Sequence, residues 1–117
     1  MAIPHVQAGD LVNLSPIGDA RPAVRSHALF KGNDLELMRI VMQQGDVMPT
    51  HSVAGESTLQ CLEGRVVVSR SSGERELAAG QLMHLARGDA HGLRCIERAS
   101  LLVTIALVPD AHRGVKR

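Results

Sequence analysis

Aromatic side chains are almost absent from this chain of 117 residues, which has one Phe, no Tyr and no Trp. Proteins that bind sugars, nucleic-acid bases or quaternary amines usually stack them against aromatic rings. Ligands of these classes are therefore disfavoured. The core has to be built from Leu, Val, Ile, Ala and Met.

An excess of charge of one sign is also missing. Thirteen Lys and Arg residues face twelve Asp and Glu residues, so the formal net charge is +1, with both signs mixed along the chain. A protein that follows a phosphate backbone needs a basic patch or stripe. We therefore expect no nucleic-acid partner.

Long apolar segments are absent too. The longest apolar run, SLLVTIALV at 100–108, is too short for the roughly 20 residues that a membrane helix needs. The start, MAIPHVQAGD, lacks the basic and apolar regions of a secretory signal. We expect a cytoplasmic protein with no membrane partner, and its two cysteines, Cys61 and Cys95, lie in apolar runs typical of buried, reduced thiols.

The chain does contain short runs of Val, Leu, Ile and Met, broken by Gly, Asp, Asn or Ser at intervals of roughly eight to twelve residues. This pattern predicts an all-β sandwich or barrel in a single domain, 1–117, with at most a turn or two of helix. Within this domain, residues 1–23 are predicted to form an irregular N-terminal arm and residues 109–117 a polar tail. The predicted strands are 11–14, 24–30, 35–42, 58–62, 66–70, 74–78, 82–85, 92–96 and 101–108. A tight turn is predicted at Glu63 and Gly64, between the fourth and fifth of these.

Two glycine-bounded blocks carry a resemblance to a known family. They are GDVMPTHSVAGESTLQCLEG at 45–64 and GQLMHLARGDAHGLRC at 80–95. Together they resemble the two motifs of the cupin superfamily, G-x5-H-x-H-x3-4-E-x6-G and G-x5-P-x-G-x2-H-x3-N. The positions that match are Gly45, His51, Gly64, Gly80, Gly88 and His91. The resemblance implies a double-stranded β-helix, that is, a jelly-roll barrel.

The metal-binding positions of these motifs are depleted. The resemblance implies a site of three histidines and one glutamate, but Val53 takes one histidine position and Ser57 takes the glutamate position. His51 and His91 remain in register, and Cys95 replaces the final asparagine. A divalent metal needs at least three good protein donors. The sequence therefore predicts a weakened metal site, or a pair of histidines that act without a metal.

Three residues are candidates for a third metal ligand. Glu56 lies one position before the glutamate position, and a bulge would be needed to turn it inward. Cys95 has the same strand parity as His91, and His84 lies on the strand before the second turn. A metal completed in this way would be Fe, Mn, Ni or Zn; otherwise we expect no cofactor. Without a metal, His51 and His91 would be hydrogen-bonding groups that titrate near neutral pH.

Two main functions stay open at this point. The first is a small-molecule binder with weak or no catalysis, whose ligand lies in the mouth of the barrel. Its predicted pocket consists of His51, Val53, Ser57, Leu59, His91 and Cys95. The second is a metal-dependent enzyme of cupin type, such as a dioxygenase, isomerase or decarboxylase. A role as a regulatory or assembly module is a third possibility that no residue specifically favours.

The sequence also predicts a homodimer. Open jelly rolls have sheet edges and an apolar outer face that a second copy can cover. Strand alternation places Gln60 on the face opposite the cavity, where it would contribute to this contact.

Overall fold

The computed structural model describes residues 6–16 and 26–109, and within these ranges it contains strands but no helix. All strand pairs are antiparallel, in agreement with the predicted all-β class. No helix that could span a membrane is present in the described part of the chain. The strands are β1 (His27–Lys31), β2 (Leu35–Met42), β3 (Val47–His51), β4 (Ser57–Arg70), β5 (Gly73–Ala78), β6 (Leu82–Leu85) and β7 (His91–Ala106).

The long strands β4 and β7 run through two sheets and join them. The first half of β4 and the second half of β7 form the centre of one sheet, in the order β1-β2-β7-β4-β6. The second half of β4 and the first half of β7 form the centre of the other sheet, in the order β3-β7-β4-β5. We call these the first and the second sheet. Together they form the jelly-roll barrel that the sequence predicts.

One hydrophobic cluster lies between the two sheets. It contains Leu59 and Leu101 from the first sheet and Val66 and Leu93 from the second, each at most 2% exposed. Alternate residues of each strand point to the same face, so one face of each strand supplies the cluster. Both cysteines are buried in it as free thiols.

The alternation of β4 changes phase at Gly64. Ser57, Leu59 and Cys61 are buried before this glycine, whereas Val66 and Val68 are buried after it. The pairing of β4 with β7 is irregular across this region, as expected for a β-bulge. The predicted turn at Glu63 and Gly64 is therefore wrong, because the strand continues through both residues.

The described part of the N-terminal arm is held by a buried arginine. Arg39, on the outer face of β2, is 7% exposed. Its guanidinium donates hydrogen bonds to the hydroxyl of Ser100 at 2.7 Å and to the main-chain carbonyl of Ser15 at 2.9 Å, with a longer contact of 3.5 Å to the carbonyl of Asn13. Glu63 lies 3.8 Å away and provides the opposite charge. The arm thus packs against the first sheet through its main chain.

Several strand predictions need correction. Strands 35–42 and 82–85 have the predicted bounds, but residues 11–14 have no regular structure and β3 was not predicted. The predicted strands 92–96 and 101–108 are parts of the single strand β7. Much of the predicted arm, together with the tail after residue 109, lies outside the described residues.

Candidate functional site

The structure brings His51 and His91 together. They are directly opposite each other in the pairing of β3 with β7, and their ring centroids are 4.6 Å apart with a 52° angle between the ring planes. His91 is only 5% exposed, whereas the His51 ring is open to solvent. A pair of this kind has one rigidly packed member and one that a ligand can reach.

Each ring is oriented by a main-chain carbonyl. Nδ1 of His51 lies 3.2 Å from the carbonyl oxygen of Pro49, and Nδ1 of His91 lies 3.0 Å from that of Asp89. A carbonyl oxygen only accepts hydrogen bonds, so Nδ1 must carry the proton in both rings. In the neutral rings the lone pair is therefore on Nε2. No hydrogen bond from the described residues reaches either Nε2.

The ion pair between Arg70 and Asp89 lies next to His91. Arg70 is the strand partner of His91 on β4, and its guanidinium contacts both carboxylate oxygens of Asp89, at 2.8 and 3.4 Å. The hydrogen bond from Arg70 holds the pKa of Asp89 below its ordinary value, although partial burial opposes this shift. Since the carbonyl of Asp89 also accepts the Nδ1 proton of His91, the ion pair helps to fix the ring.

The other predicted pocket residues lie deeper or elsewhere. Leu59 and Cys95 belong to the hydrophobic cluster, and Ser57 is 5% exposed. The thiol of Cys95 donates to the carbonyl of Glu97 at 3.1 Å, and burial raises its pKa. Val53 is half-buried, and its carbonyl accepts a hydrogen bond from the amide of Gly88 at 2.9 Å. The pocket in its predicted composition stays a prediction.

The candidates for a third metal ligand have other contacts. His84 Nε2 lies 2.8 Å from a carboxylate oxygen of Glu56, and both side chains are more than half exposed. Cys95 is directed at main-chain carbonyls in the core. Across residues 6–16 and 26–109, no three His, Cys, Asp or Glu side chains are grouped as a metal ion would require. Two imidazoles do not fit the complete site of three histidines and one glutamate.

Sequence reasoning missed the charged residues near the histidine pair. No sequence motif singled out Arg70, Arg75 or Asp89. The phase change at Gly64 gives Arg70 the inward parity of Val66 and Val68. Gly64, between two strand-like segments, was the available signal, because a glycine within a strand often marks a bulge.

Comparisons with known proteins support the architecture. No protein-family model matches the sequence, and no curated protein matches it significantly. Solved structures do match. A conserved protein of unknown function from Streptococcus pyogenes has 19% identity and a TM-score of 0.73, covering 94% of this chain and 98% of that one.

Two further matches are named as cupins. A cupin superfamily protein from Desulfitobacterium hafniense has 14% identity and a TM-score of 0.68, covering 71% of this chain and 76% of that chain. An RmlC-like cupin from Shewanella frigidimarina has 19% identity and a TM-score of 0.66, with 74% and 78% covered. The protein therefore has the fold of the small cupins, as its two glycine-bounded blocks predicted.

Proposed function

We propose that this protein binds a small molecule in the mouth of its barrel, with His51 and His91 as the main polar contacts. The observation that carries the proposal is the pair of adjacent imidazoles, each held at Nδ1 by a carbonyl, each without a described hydrogen bond at Nε2, and with the ring of His51 exposed. Ligand sites usually combine apolar walls with a few convergent polar groups. The inner faces of both sheets are apolar here.

The two rings are suited to bind either hydrogen-bond donors or anions. When neutral, each Nε2 accepts a hydrogen bond from a ligand hydroxyl or amide. When protonated, it donates one to an oxyanion. Because the rings are already oriented, little side-chain entropy is lost when the ligand binds.

A metal-dependent enzyme is the alternative, and it requires a third protein donor. Glu56 and His84 form an exposed pair with each other, and Cys95 is directed into the core. The observed donor set thus favours a binder over an enzyme that depends on a complete metal site. Metal analysis of protein purified without added metal separates the two. A stoichiometric Fe, Mn, Ni or Zn content that is lost in His51→Gln would support the enzyme and contradict the proposal.

The binding itself is testable by NMR on the histidine rings. Protein labelled with ¹³C at His Cε1 is titrated with a panel of small alcohols, amides and carboxylates. We expect at least one class to shift the signals of His51 and His91 together, and the effect to disappear in His51→Gln. The matched control is His27→Gln, because His27 lies on β1, which pairs with neither β3 nor β7. If no class shifts either ring at millimolar concentration, the proposal is wrong.

We also propose that a second copy covers the outer face of the first sheet. Gln60 has Leu82 and Leu102 as its strand partners, so these three residues form a row across β6, β4 and β7. Leu82 is 57% exposed, which is unusual for a leucine in a sheet. A row with two leucines on the outer face of an open sheet is well suited to pack against the same row of a second copy.

A further inference from the structure

We infer that Arg75, together with Arg70, binds a carboxylate group, so that the ligand of this barrel is a small organic acid. This inference rests on the proposed function, since it concerns the same ligand. It adds a chemical class for the ligand and a second anchoring point, at a distance from the histidine pair.

The two arginines line one cavity. It has a volume of about 380 Å³ and opens between β5 and β6, which are edge strands that pair only with β4 in the described structure. Met83 and Leu77 supply apolar walls. Arg75 lies on the same face of β5 as the buried Leu77, and it is the strand partner of the buried Val68. Its backbone position is therefore on the inward face of the second sheet.

The charges around this cavity do not balance locally. Glu76 is bound to Arg65 at 2.6 Å, and His84 is bound to Glu56. Arg70 is paired with Asp89. The guanidinium of Arg75, an exposed residue that lines the cavity, has no ion-pair or hydrogen-bond partner among residues 6–16 and 26–109. One guanidinium thus remains available for an anion from solution.

A guanidinium is well matched to a carboxylate. Its planar N–H groups bind both oxygens at once, and the hydrogen bonds are charge-assisted. The partly neutralised Arg70 also lines the cavity and contributes a further donor. Inorganic phosphate offers similar oxygens, so the experiment has to distinguish a carboxylic acid from a free phosphate.

Arg70 connects the arginine cavity with the histidine pair. Arg70 lines the cavity and is also the strand partner of His91. Asp89 contacts Arg70 through its carboxylate and His91 through its carbonyl. A ligand with its carboxylate near Arg75 and Arg70 can therefore extend toward Nε2 of the histidine pair.

The test compares an acid with its neutral counterpart. Succinate, succinamide and inorganic phosphate are titrated into the protein at constant ionic strength, and binding is measured by calorimetry and by shifts of backbone amide signals. We expect succinate to bind at least about tenfold more tightly than succinamide, since charge-assisted hydrogen bonds are lost in the amide. Phosphate should bind more weakly than succinate.

Matched variants test whether Arg75 is the residue that binds the carboxylate of the acid. Arg75→Gln should remove the preference for succinate, whereas Arg94→Gln should retain it. Arg94 is also an arginine of the second sheet, but it has outward parity and pairs with Glu74 at 3.6 Å. Equal binding of acid and amide by the wild type, or an unchanged preference in Arg75→Gln, would overturn the inference.

The same titrations separate the two proposals. If Arg75→Gln keeps the acid preference while His51→Gln loses all binding, the histidine site stands and the arginine inference is wrong. If Arg75→Gln loses the preference while His51→Gln binds succinate normally, the acid site stands and the proposed role of the histidines is wrong. Tighter binding of phosphate than of succinate would also contradict the inference.

Discussion

Replacing Gly64 with alanine should destabilise the barrel more than the same change at Gly80, which also has a positive φ but open space around it. Gly64 has φ = +79°, and a Cβ atom there would overlap the carbonyl of Arg98 and approach its carbon at 2.7 Å and Cα of Ala99 at 2.8 Å. These are main-chain atoms of β7. The two long strands would have to separate at the position where β4 changes phase.

The magnitude follows from two separate costs. A left-handed backbone costs a non-glycine residue about 1–2 kcal/mol. Separating β4 from β7 weakens neighbouring strand hydrogen bonds, each of which contributes about 1 kcal/mol. We expect a total loss of about 3–4 kcal/mol in Gly64→Ala, which is a large part of the roughly 5–15 kcal/mol of a typical domain.

Two control variants separate these costs. Gly80 has φ = +88° but open space around its Cβ position, so Gly80→Ala should lose only about 1–2 kcal/mol from backbone strain. Gly55 lacks a positive φ, but a Cβ atom there would overlap the carbonyl of Ala106, so Gly55→Ala should show the cost of crowding alone.

Urea unfolding followed by far-UV circular dichroism is a suitable assay, because the chain has no Trp or Tyr for intrinsic fluorescence. If Gly64→Ala proved as stable as Gly80→Ala, or more stable, the reasoning would be refuted. Failure of Gly64→Ala to fold without denaturant, with Gly80→Ala folded, would agree with it.

Three further predictions concern charge, assembly and the thiols. Because Arg70 lowers the pKa of Asp89, this carboxylate contributes stability above about pH 4, and the contribution is lost as the pH falls through the pKa of the folded state. The difference in unfolding free energy between wild type and Asp89→Asn should therefore shrink in acid. A difference that does not change with pH in urea titrations would contradict this prediction. Leu82→Glu should convert the proposed dimer to a monomer in sedimentation experiments, whereas a wild type that is already monomeric at micromolar concentration would refute the dimer. Burial raises the pKa of Cys61 to about 11, so a disulfide reagent at pH 8 should modify this thiol only after unfolding; rapid modification of the native protein would show that the core opens.

The fold could be predicted from the sequence because its signals are local and repeated. The short apolar runs broken by turn residues indicated an all-β chain, and the spacing of His51 and His91 within glycine-bounded blocks indicated the barrel. Alternation also predicted that Ser57, Leu59 and Cys61 share a face, and all three are buried.

The charged part of the site could not be predicted in the same way. Alternation counted from Leu59 places Arg70 on the outer face, and only the bulge at Gly64 reverses this parity. The contact between His84 and Glu56 depends on the pairing of β4 with β6, since Thr58 is the strand partner of His84. Strand pairing over such separations is a tertiary property, and local patterns do not encode it.

The way in which Arg39 holds the arm has a consequence for the arm's own sequence. Its guanidinium binds the carbonyl oxygens of residues 13 and 15, and every amino acid has a carbonyl oxygen. A contact of this kind depends on the path of the main chain rather than on the identity of the side chains. Asn13 supports this path, because its Oδ1 accepts hydrogen bonds from the amide and the hydroxyl of Ser15 at 2.9 and 2.6 Å. Side chains of the arm without such a role can change while the attachment persists, so the arm can acquire new surface chemistry at little cost to the barrel beneath it.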